Sequence, residues 1–171
     1  MSERAAELTF HEAFNRAGFS GKAALILSTW FGIGLAPRAP GTFGTLGALP
    51  VAAVVSYCGF LCQGIAVILV IPLAVWSAEV SRKLMAKEDP QVVVIDEAAG
   101  LLLALFLFPL SWLSIISGFV LFRFFDILKP FPVGLIDRKV KGGLGIVLDD
   151  LMAGIYANIC LRIIFLIFIS N

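Results

Sequence analysis

Apolar runs alternate with short charged segments along this chain, and the alternation sets its elements. No charged side chain occurs from Ala39 to Ala78, a stretch of 40 residues. One membrane crossing takes about 20 residues, so this stretch holds two. Gly59 marks the turn between them, which predicts helices near 44–60 and 63–80. Pro50 and Pro72 would kink these helices, as membrane helices tolerate. Ala98 to Phe122 is again uncharged, over 25 residues. Pro109-Leu-Ser-Trp112 interrupts it, leaving one kinked span or two short helices in a hairpin. A further run, Leu151 to Ile169, carries the single charge Arg162, which can snorkel or pair. Residues 23–36 are apolar but short; Gly32 and Gly34 weaken them and Pro37 ends them, so a partial or re-entrant helix is expected.

The polar segments refine this picture. Leu8, Phe10, Phe14 and Phe19 are spaced among charged residues and predict a short amphipathic helix lying on the membrane. Residues 1–22 are thus read as an N-terminal amphipathic segment and 23–171 as one helical membrane domain. The first 20 residues lack the apolar core of a secretory signal. Arg38 to Thr45 contains Pro40, Gly41 and Gly44 and is expected to be irregular backbone. It is either an anion nest with Thr42 and Thr45 as added donors, or a plain turn. Val92 to Ile95 reads as a short extended approach to a helix beginning near Asp96. Lys141 to Gly145 reads as a flexible loop, after which Asp149-Asp150 opens the last span. The connection 79–90 and the segment 123–150 are both rich in Lys and Arg, which places them on the cytoplasmic side. An even number of crossings must then separate them, which favours the hairpin. The uncharged turns near 59–63 and 109–112 face the other way.

Composition supports a bilayer setting. The chain is 60% hydrophobic and 15% charged, with a mean hydropathy of +0.99; soluble domains average roughly 45–50% apolar and about 25% charged. The fold class expected is all-α: a polytopic membrane protein with four to five membrane helices and an N-terminal amphipathic helix. A net charge of +1 gives no reason to propose nucleic acid as a partner. Cys58, Cys62 and Cys160 match no zinc spacing and read as reduced, buried thiols.

The chemistry concentrates in two places. Asp96, Glu97, Asp126, Asp137, Asp149 and Asp150 supply six carboxylates, interleaved with Arg123, Lys129, Arg138, Lys139 and Lys141. Charges this dense beside apolar spans need water, partners or a metal. Carboxylates from three segments suit Mg²⁺, a hard cation that takes oxygen ligands. Arg123, Lys129 and Arg138 suit a phosphate, as a bidentate fork or a point charge. Acidic metal ligands beside cationic anion-binders are the parts for phosphoryl transfer or phosphate hydrolysis at a membrane surface. There is no Cys-x₅-Arg loop, no placed histidine and no P-loop. An aspartyl-phosphate route stays open.

Several of these stretches are similar to a known family. Pro40-Gly-Thr42 with Gly44-Thr-Leu-Gly47, Ile95-Asp-Glu97, Phe122-Arg-Phe-Phe-Asp-Ile-Leu-Lys-Pro-Phe-Pro132, Asp137-Arg138 and Gly142-Gly-Leu-Gly-Ile-Val-Leu-Asp-Asp150 resemble phosphatidylglycerophosphatase A over roughly residues 25–165. The resemblance implies a multi-pass bacterial inner-membrane phosphatase with its active site facing the cytoplasm. It would depend on Mg²⁺ and remove the terminal phosphate of phosphatidylglycerophosphate to give phosphatidylglycerol. By matching motifs, Asp96, Glu97, Asp126, Asp149 and Asp150 become metal ligands or water activators, and Asp126, Asp149, Asp150 and Arg123 the catalytic set. Lys129, Arg138, Asp137 and Thr42 become phosphate positioners, with Asp137 orienting Arg138.

Two other readings stay open at this stage. A Mg²⁺-dependent lipid-phosphate transferase would use a similar site, although the Asp-Gly-x₂-Ala-Arg pattern is absent. A non-catalytic transporter would need a midplane site, whereas these acids sit at helix ends. The number of metal ions, the nucleophile and the oligomeric state are not set by the sequence.

Overall fold

The computed structural model describes residues 7–109 and 111–169, with side chains through residue 167. The described residues form eight α-helices and no strand. They are α1 (Phe10–Arg16), α2 (Phe19–Ser28), α3 (Pro40–Tyr57), α4 (Phe60–Met85), α5 (Ile95–Ala104), α6 (Trp112–Leu128), α7 (Val133–Lys139) and α8 (Gly142–Ile169), with one 3₁₀ turn at Ile33–Leu35. The all-helical expectation holds. Two helices, Phe60–Met85 and Gly142–Ile167, are long and apolar enough to cross a membrane among the described residues.

The short helix α5 sits at the centre, packed against α3, α4, α6 and α8. Eight of its residues are buried, including Ala98, Ala99, Gly100, Leu101 and Leu102. Its crossing with α8 is made of glycines. A Cβ on Gly154 would lie 2.4 Å from the Gly100 carbonyl oxygen, and one on Gly100 would lie 2.8 Å from the Asp150 oxygen and 2.4 Å from the Phe122 ring. Small residues let two helix backbones approach closely, as membrane-type packing requires. Outward faces of the longer helices carry Val54, Leu61, Ile68, Ile116, Val120 and Leu166, all more than half exposed. Apolar exposure on this scale marks a surface built for something other than water.

The bundle has two ends of opposite character. At one end Glu79 of α4 accepts from Gly143 N–H of α8 at 2.7 Å, and Arg123 of α6 reaches Glu97 of α5. The two charged segments therefore share an end, as the Lys and Arg distribution predicts. At the other end Gln63 of α4 bonds Leu107 N–H at 2.7 Å and the Phe108 carbonyl at 3.1 Å. The first turn of α4 and the break after α5 are thus neighbours. Asn158 of α8 donates to the carbonyls of Leu103, Ala104 and Phe106, and Arg162 donates to Asn158 Oδ1 and the Phe106 carbonyl. These side chains take up the carbonyls that a helix leaves free at its C-terminus. They allow α5 to stop after ten residues inside an apolar body.

The structure corrects three expectations about helix boundaries. Of residues 38–45, only Arg38 and Ala39 are irregular: 40–45 are helical, and Pro40 occupies the first turn of α3, where its missing N–H costs nothing. Lys141 to Gly145 is not a flexible loop, because α8 starts at Gly142. Glu79 of α4 accepts from its Gly143 N–H, and a Cβ on Gly143 would lie 2.5 Å from the Val75 oxygen, so these glycines serve packing. Asp149 and Asp150 accordingly sit about two turns inside α8 rather than opening it. Residues 23–36 divide into the end of α2, a turn and the 3₁₀ turn. The 98–122 run holds two helices with the break around Pro109, the arrangement the hairpin expectation favours. The N-terminal segment places Ala13 of α1 against Leu25 and Met85, with Leu8, Phe10 and Phe14 alongside. Its Leu8 N–H bonds the Met85 carbonyl at 2.9 Å.

Gly154→Ala drives a methyl into the Gly100 carbonyl, and overpacking of this kind costs about 1–3 kcal/mol. Its unfolding midpoint in detergent, followed by circular dichroism, should fall by several degrees. Gly64→Ala in α4, whose added Cβ meets nothing nearer than 3.8 Å, should leave the midpoint unchanged or raise it.

Candidate active site

Five helices meet around a cavity of about 540 Å³ at the charged end of the bundle. Pro40, Gly41 and Thr42 line it from the N-terminus of α3, and Asp96 and Glu97 from the N-terminus of α5. Arg123, Asp126 and Lys129 enter from the end of α6, Asp137 from α7, and Asp149 and Asp150 from α8. Carboxylates in the first turn of α5 gain from the helix dipole. The Val94 N–H before them is tied to the Ser28 carbonyl at 2.8 Å, which fixes the entry of the helix.

The floor is acidic. One oxygen each from Asp96, Glu97 and Asp150 lies within 4.8 Å of the other two. Asp126 lies beside Asp150. Asp96, Asp149 and Asp150 are each at most 8% exposed. Two cations temper this charge. Arg123 Nη1 meets Asp126 Oδ2 at 2.6 Å and Glu97 Oε1 at 3.9 Å. It also donates to Thr45 Oγ1 at 3.4 Å, while Thr45 donates to the Gly41 carbonyl at 2.8 Å. Lys129 takes a left-handed conformation that ends α6, and its Nζ bridges Asp137 Oδ1 at 2.8 Å and Asp149 Oδ2 at 2.5 Å. Burial works against the lysine's charge. Its bonds to Asp137 and Asp149 outweigh that and hold its pKa above the ordinary value, so it stays cationic.

Among the described residues, four buried side-chain polar atoms find no partner: Asp96 Oδ1, Glu97 Oε2, Asp149 Oδ1 and Arg123 Nε. An unsatisfied buried acceptor costs about 1–3 kcal/mol, and more if charged. Eight carboxylates and three cations line the cavity. Carboxylates gathered at this density repel one another unless further positive charge is supplied. Ligand oxygens around a hard divalent cation lie at about 2.0–2.6 Å from it, so they fall at most some 4–5 Å apart. The trio of Asp96, Glu97 and Asp150 matches that spread, and the orphaned oxygens of Asp96 and Glu97 fit such an ion.

Gly41 is where this arrangement touches the backbone. A Cβ there would lie 2.0 Å from Glu97 Oε1, so only glycine lets the first turn of α3 lie against that carboxylate.

A family model for phosphatidylglycerophosphatase A matches residues 26–165. The chain belongs to the phosphatidylglycerophosphatase A family. The matched stretch runs from within α2 to near the end of α8 and contains every residue of the cavity. Phosphatidylglycerophosphatase A of Escherichia coli K12 is 36% identical over 131 residues, covering 76% of each chain. The Haemophilus influenzae Rd protein of the same name is 40% identical over 136 residues, covering 78% of this chain and 83% of its own. A Bacteroides thetaiotaomicron protein provisionally named phosphatidylinositol-3-phosphatase is 33% identical over 147 residues, covering 81% and 91%. No solved structure matches.

Of the residues singled out in the sequence, Asp96, Glu97, Arg123, Asp126, Lys129, Asp137, Asp149, Asp150 and Thr42 all line the one cavity. Arg138 does not line it and is exposed. Asp137 pairs with Lys129. Sequence reasoning gave no role to Glu88, Asp89 and Lys141, which also line the cavity, nor to Gly41 and Thr45 as supports. The Pro-Gly-Thr and Gly-Thr pairs of this family motif were the available signal for the last two.

Gly41→Ala should displace Glu97 and Arg123 while leaving the helices intact. A misplacement of about 1 Å at a catalytic group costs about 10²-fold in rate. Activity of that variant should fall by this order with a circular dichroism spectrum like that of the wild type.

Proposed function

We propose that this chain hydrolyses the terminal phosphate monoester of phosphatidylglycerophosphate, releasing phosphatidylglycerol and phosphate. The observation that carries the reading is the convergence of Asp96, Glu97 and Asp150 from two helices, with unpartnered buried oxygens, beside Arg123 and Lys129. Family membership and the names of the Escherichia coli and Haemophilus influenzae relatives support the same substrate.

Asp96, Glu97 and Asp150 would hold Mg²⁺, with Asp126 and Asp149 alongside. When bound, Mg²⁺ supplies Lewis-acid polarisation of the phosphoryl group. The protein's own groups do the rest. Arg123 presents a rigid fork of donors and Lys129 a point charge, and both are pre-positioned by their carboxylate partners. Thr42, in the first turn of α3, adds a donor at the same wall. Asp149 has one oxygen tied to Lys129 and the other free, so it is oriented to take a proton from water or to attack phosphorus itself. In the net reaction the ester P–O bond breaks. The oxygen of water ends on phosphorus, and one of its protons ends on the released lipid hydroxyl.

The setting proposed is a bacterial inner membrane with the cavity at the cytoplasmic face. Arg82, Lys83, Lys87, Lys129, Arg138, Lys139 and Lys141 all belong to the segments at the cavity end, in keeping with the preference of Lys and Arg for the cytoplasm. Besides α4 and α8, helices α3 and α6 have 18 and 17 residues, or about 25–27 Å, close to the hydrocarbon thickness. With α5 and its following turn descending and α6 returning, the chain makes five passes. The Bacteroides relative's name favours one variant of this reading, a phosphoinositide monoester as substrate.

The purified protein is to be assayed in mixed micelles with phosphatidylglycerophosphate and with phosphatidylinositol 3-phosphate. Phosphate release should require Mg²⁺ and stop in EDTA. Asp96→Asn and Asp150→Asn should each lose about 10³-fold in kcat/KM. In EDTA the same variants should unfold at an equal or higher temperature than wild type, because each removes a buried charge from a repelling set. Release that persists in EDTA, or survives both substitutions, rules the assignment out.

A further inference from the structure

A lipid whose phosphate sits in this cavity keeps its acyl chains in the bilayer. The chains must therefore leave the cavity sideways, between two helices, along the apolar body of the bundle. Most seams there are shut. On one flank α6 packs firmly against α8, where the Phe125 and Tyr156 rings meet edge-on at 5.6 Å. The Tyr156 hydroxyl also donates to the Phe131 carbonyl at 3.1 Å. One flank of α3 is covered by Ile33 and Trp30, which crowd Gly47. Between α3 and α6 the packing is thin, although both helices rest on α5. Arg123 bridges them at the cavity end, donating to Thr45 at 3.4 Å. At the other end Ala52 and Ser56 of α3 and Ser114 and Ile115 of α6 flank a small recess. The two helices thus border a furrow floored by α5.

Its walls are apolar, and it runs into the cavity. Ile116 and Val120 lie seven and three residues before Arg123, and Ile127 four after it, so all share the stripe of α6 that carries this arginine. They are 57–70% exposed. On α3, Thr42 and Leu49 stand three residues before and four after Thr45, the residue that meets Arg123. Thr42, Arg123 and Ile127 line the cavity as well, so furrow and cavity form one continuous surface. Arg123 Nε has no partner, which leaves a donor where the two join. In a bilayer, burying an acyl chain gains nothing by itself, because the surrounding lipid is equally apolar; a furrow holds a chain by close fit.

We propose that the lipid monoester enters from the bilayer through the furrow between α3 and α6. One acyl chain lies along Leu49, Val120 and Ile116 while the phosphate end reaches Thr42 and Arg123. The inference rests on the lipid-phosphatase reading above and adds to it the route and the seat of the chain.

The test uses full-length protein with dioleoyl and dibutyryl phosphatidylglycerophosphate, and the readout is the ratio of their kcat/KM values. Ile116 lies about 10 Å along α6 from Arg123, a level that oleoyl chains reach and butyryl chains do not. Ile116→Trp fills the furrow at that level and should cut the ratio about tenfold, the low end of what overpacking costs. Ile68→Trp, on the exposed face of α4, should keep the ratio within about twofold. A second measurement needs no variant. Phosphatidylglycerophosphate carrying a diazirine in one acyl chain is illuminated with wild type in nanodiscs during turnover, and the labelled peptides are mapped. Label on Ile116–Ile127 should fall when unlabelled dioleoyl substrate is added in excess, and label on the outer face of α4 should not. An unchanged ratio, an equal loss on both lipids by a folded Ile116→Trp, or label on α6 no better protected than on α4 overturns the proposal. If Ile116→Trp loses its helical spectrum, the labelling of wild type decides alone. A wild type that releases phosphate from neither lipid overturns the function on which the proposal rests, a result visible before any variant is made.

Discussion

Everything in this molecule depends on how closely α5 and α8 can approach. Gly154 lies against the carbonyl of Gly100, and Gly100 lies against that of Asp150. A side chain at either glycine would hold the two backbones apart. With the backbones in contact, the first turn of α5 faces the third turn of α8, and carboxylates more than 50 residues apart in sequence face one another. The buried course of α5 follows from the same contact. A helix of ten residues surrounded by four others has no lipid face to satisfy, so it is rich in Ala, Gly and Leu rather than in large residues.

Concentrating acid in this way opposes folding, and the rest of the site answers it in parts. Lys129 and Arg123 each neutralise carboxylates from more than one element. Helix dipoles at the starts of α3 and α5 add partial positive charge. The oxygens left over on Asp96, Glu97 and Asp149 are the unbalanced remainder. On that remainder rests our proposal that the cavity takes a divalent cation. Glu79 works in the opposite sense: outside the cavity, its charge meets Arg82, Lys83 and the Gly143 N–H of α8, and so steadies the helix that carries Asp149 and Asp150.

Much of this was legible in the chain. Apolar runs located α3, α4, α6 and α8, and the charged positions together with Thr42 named nine of the residues that line the cavity. Their clustering on one end followed from the Lys and Arg distribution. Three things were not legible. Glycine reads locally as a loop, so Gly41, Gly142 and Gly143 suggested irregular backbone where they serve close helix packing, a property of the neighbour and not of the segment. Polar residues inside apolar runs, Gln63 and Asn158, gave no sign that they would take up the carbonyls and N–H groups around the end of α5. Arg138 and Lys141 are near neighbours of like charge, and only the start of α8 decides that the second, not the first, lines the cavity.

Divalent-ion binding measured directly on the protein in lipid nanodiscs tests the central claim, using Mn²⁺ and electron paramagnetic resonance. The account predicts that wild type binds Mn²⁺ in competition with Mg²⁺. It also predicts that Asp96→Asn in α5 and Asp150→Asn in α8 each remove that binding while the helical spectrum is kept. Mn²⁺ bound with unchanged affinity by both variants would contradict it, since the two helices would then not share an ion.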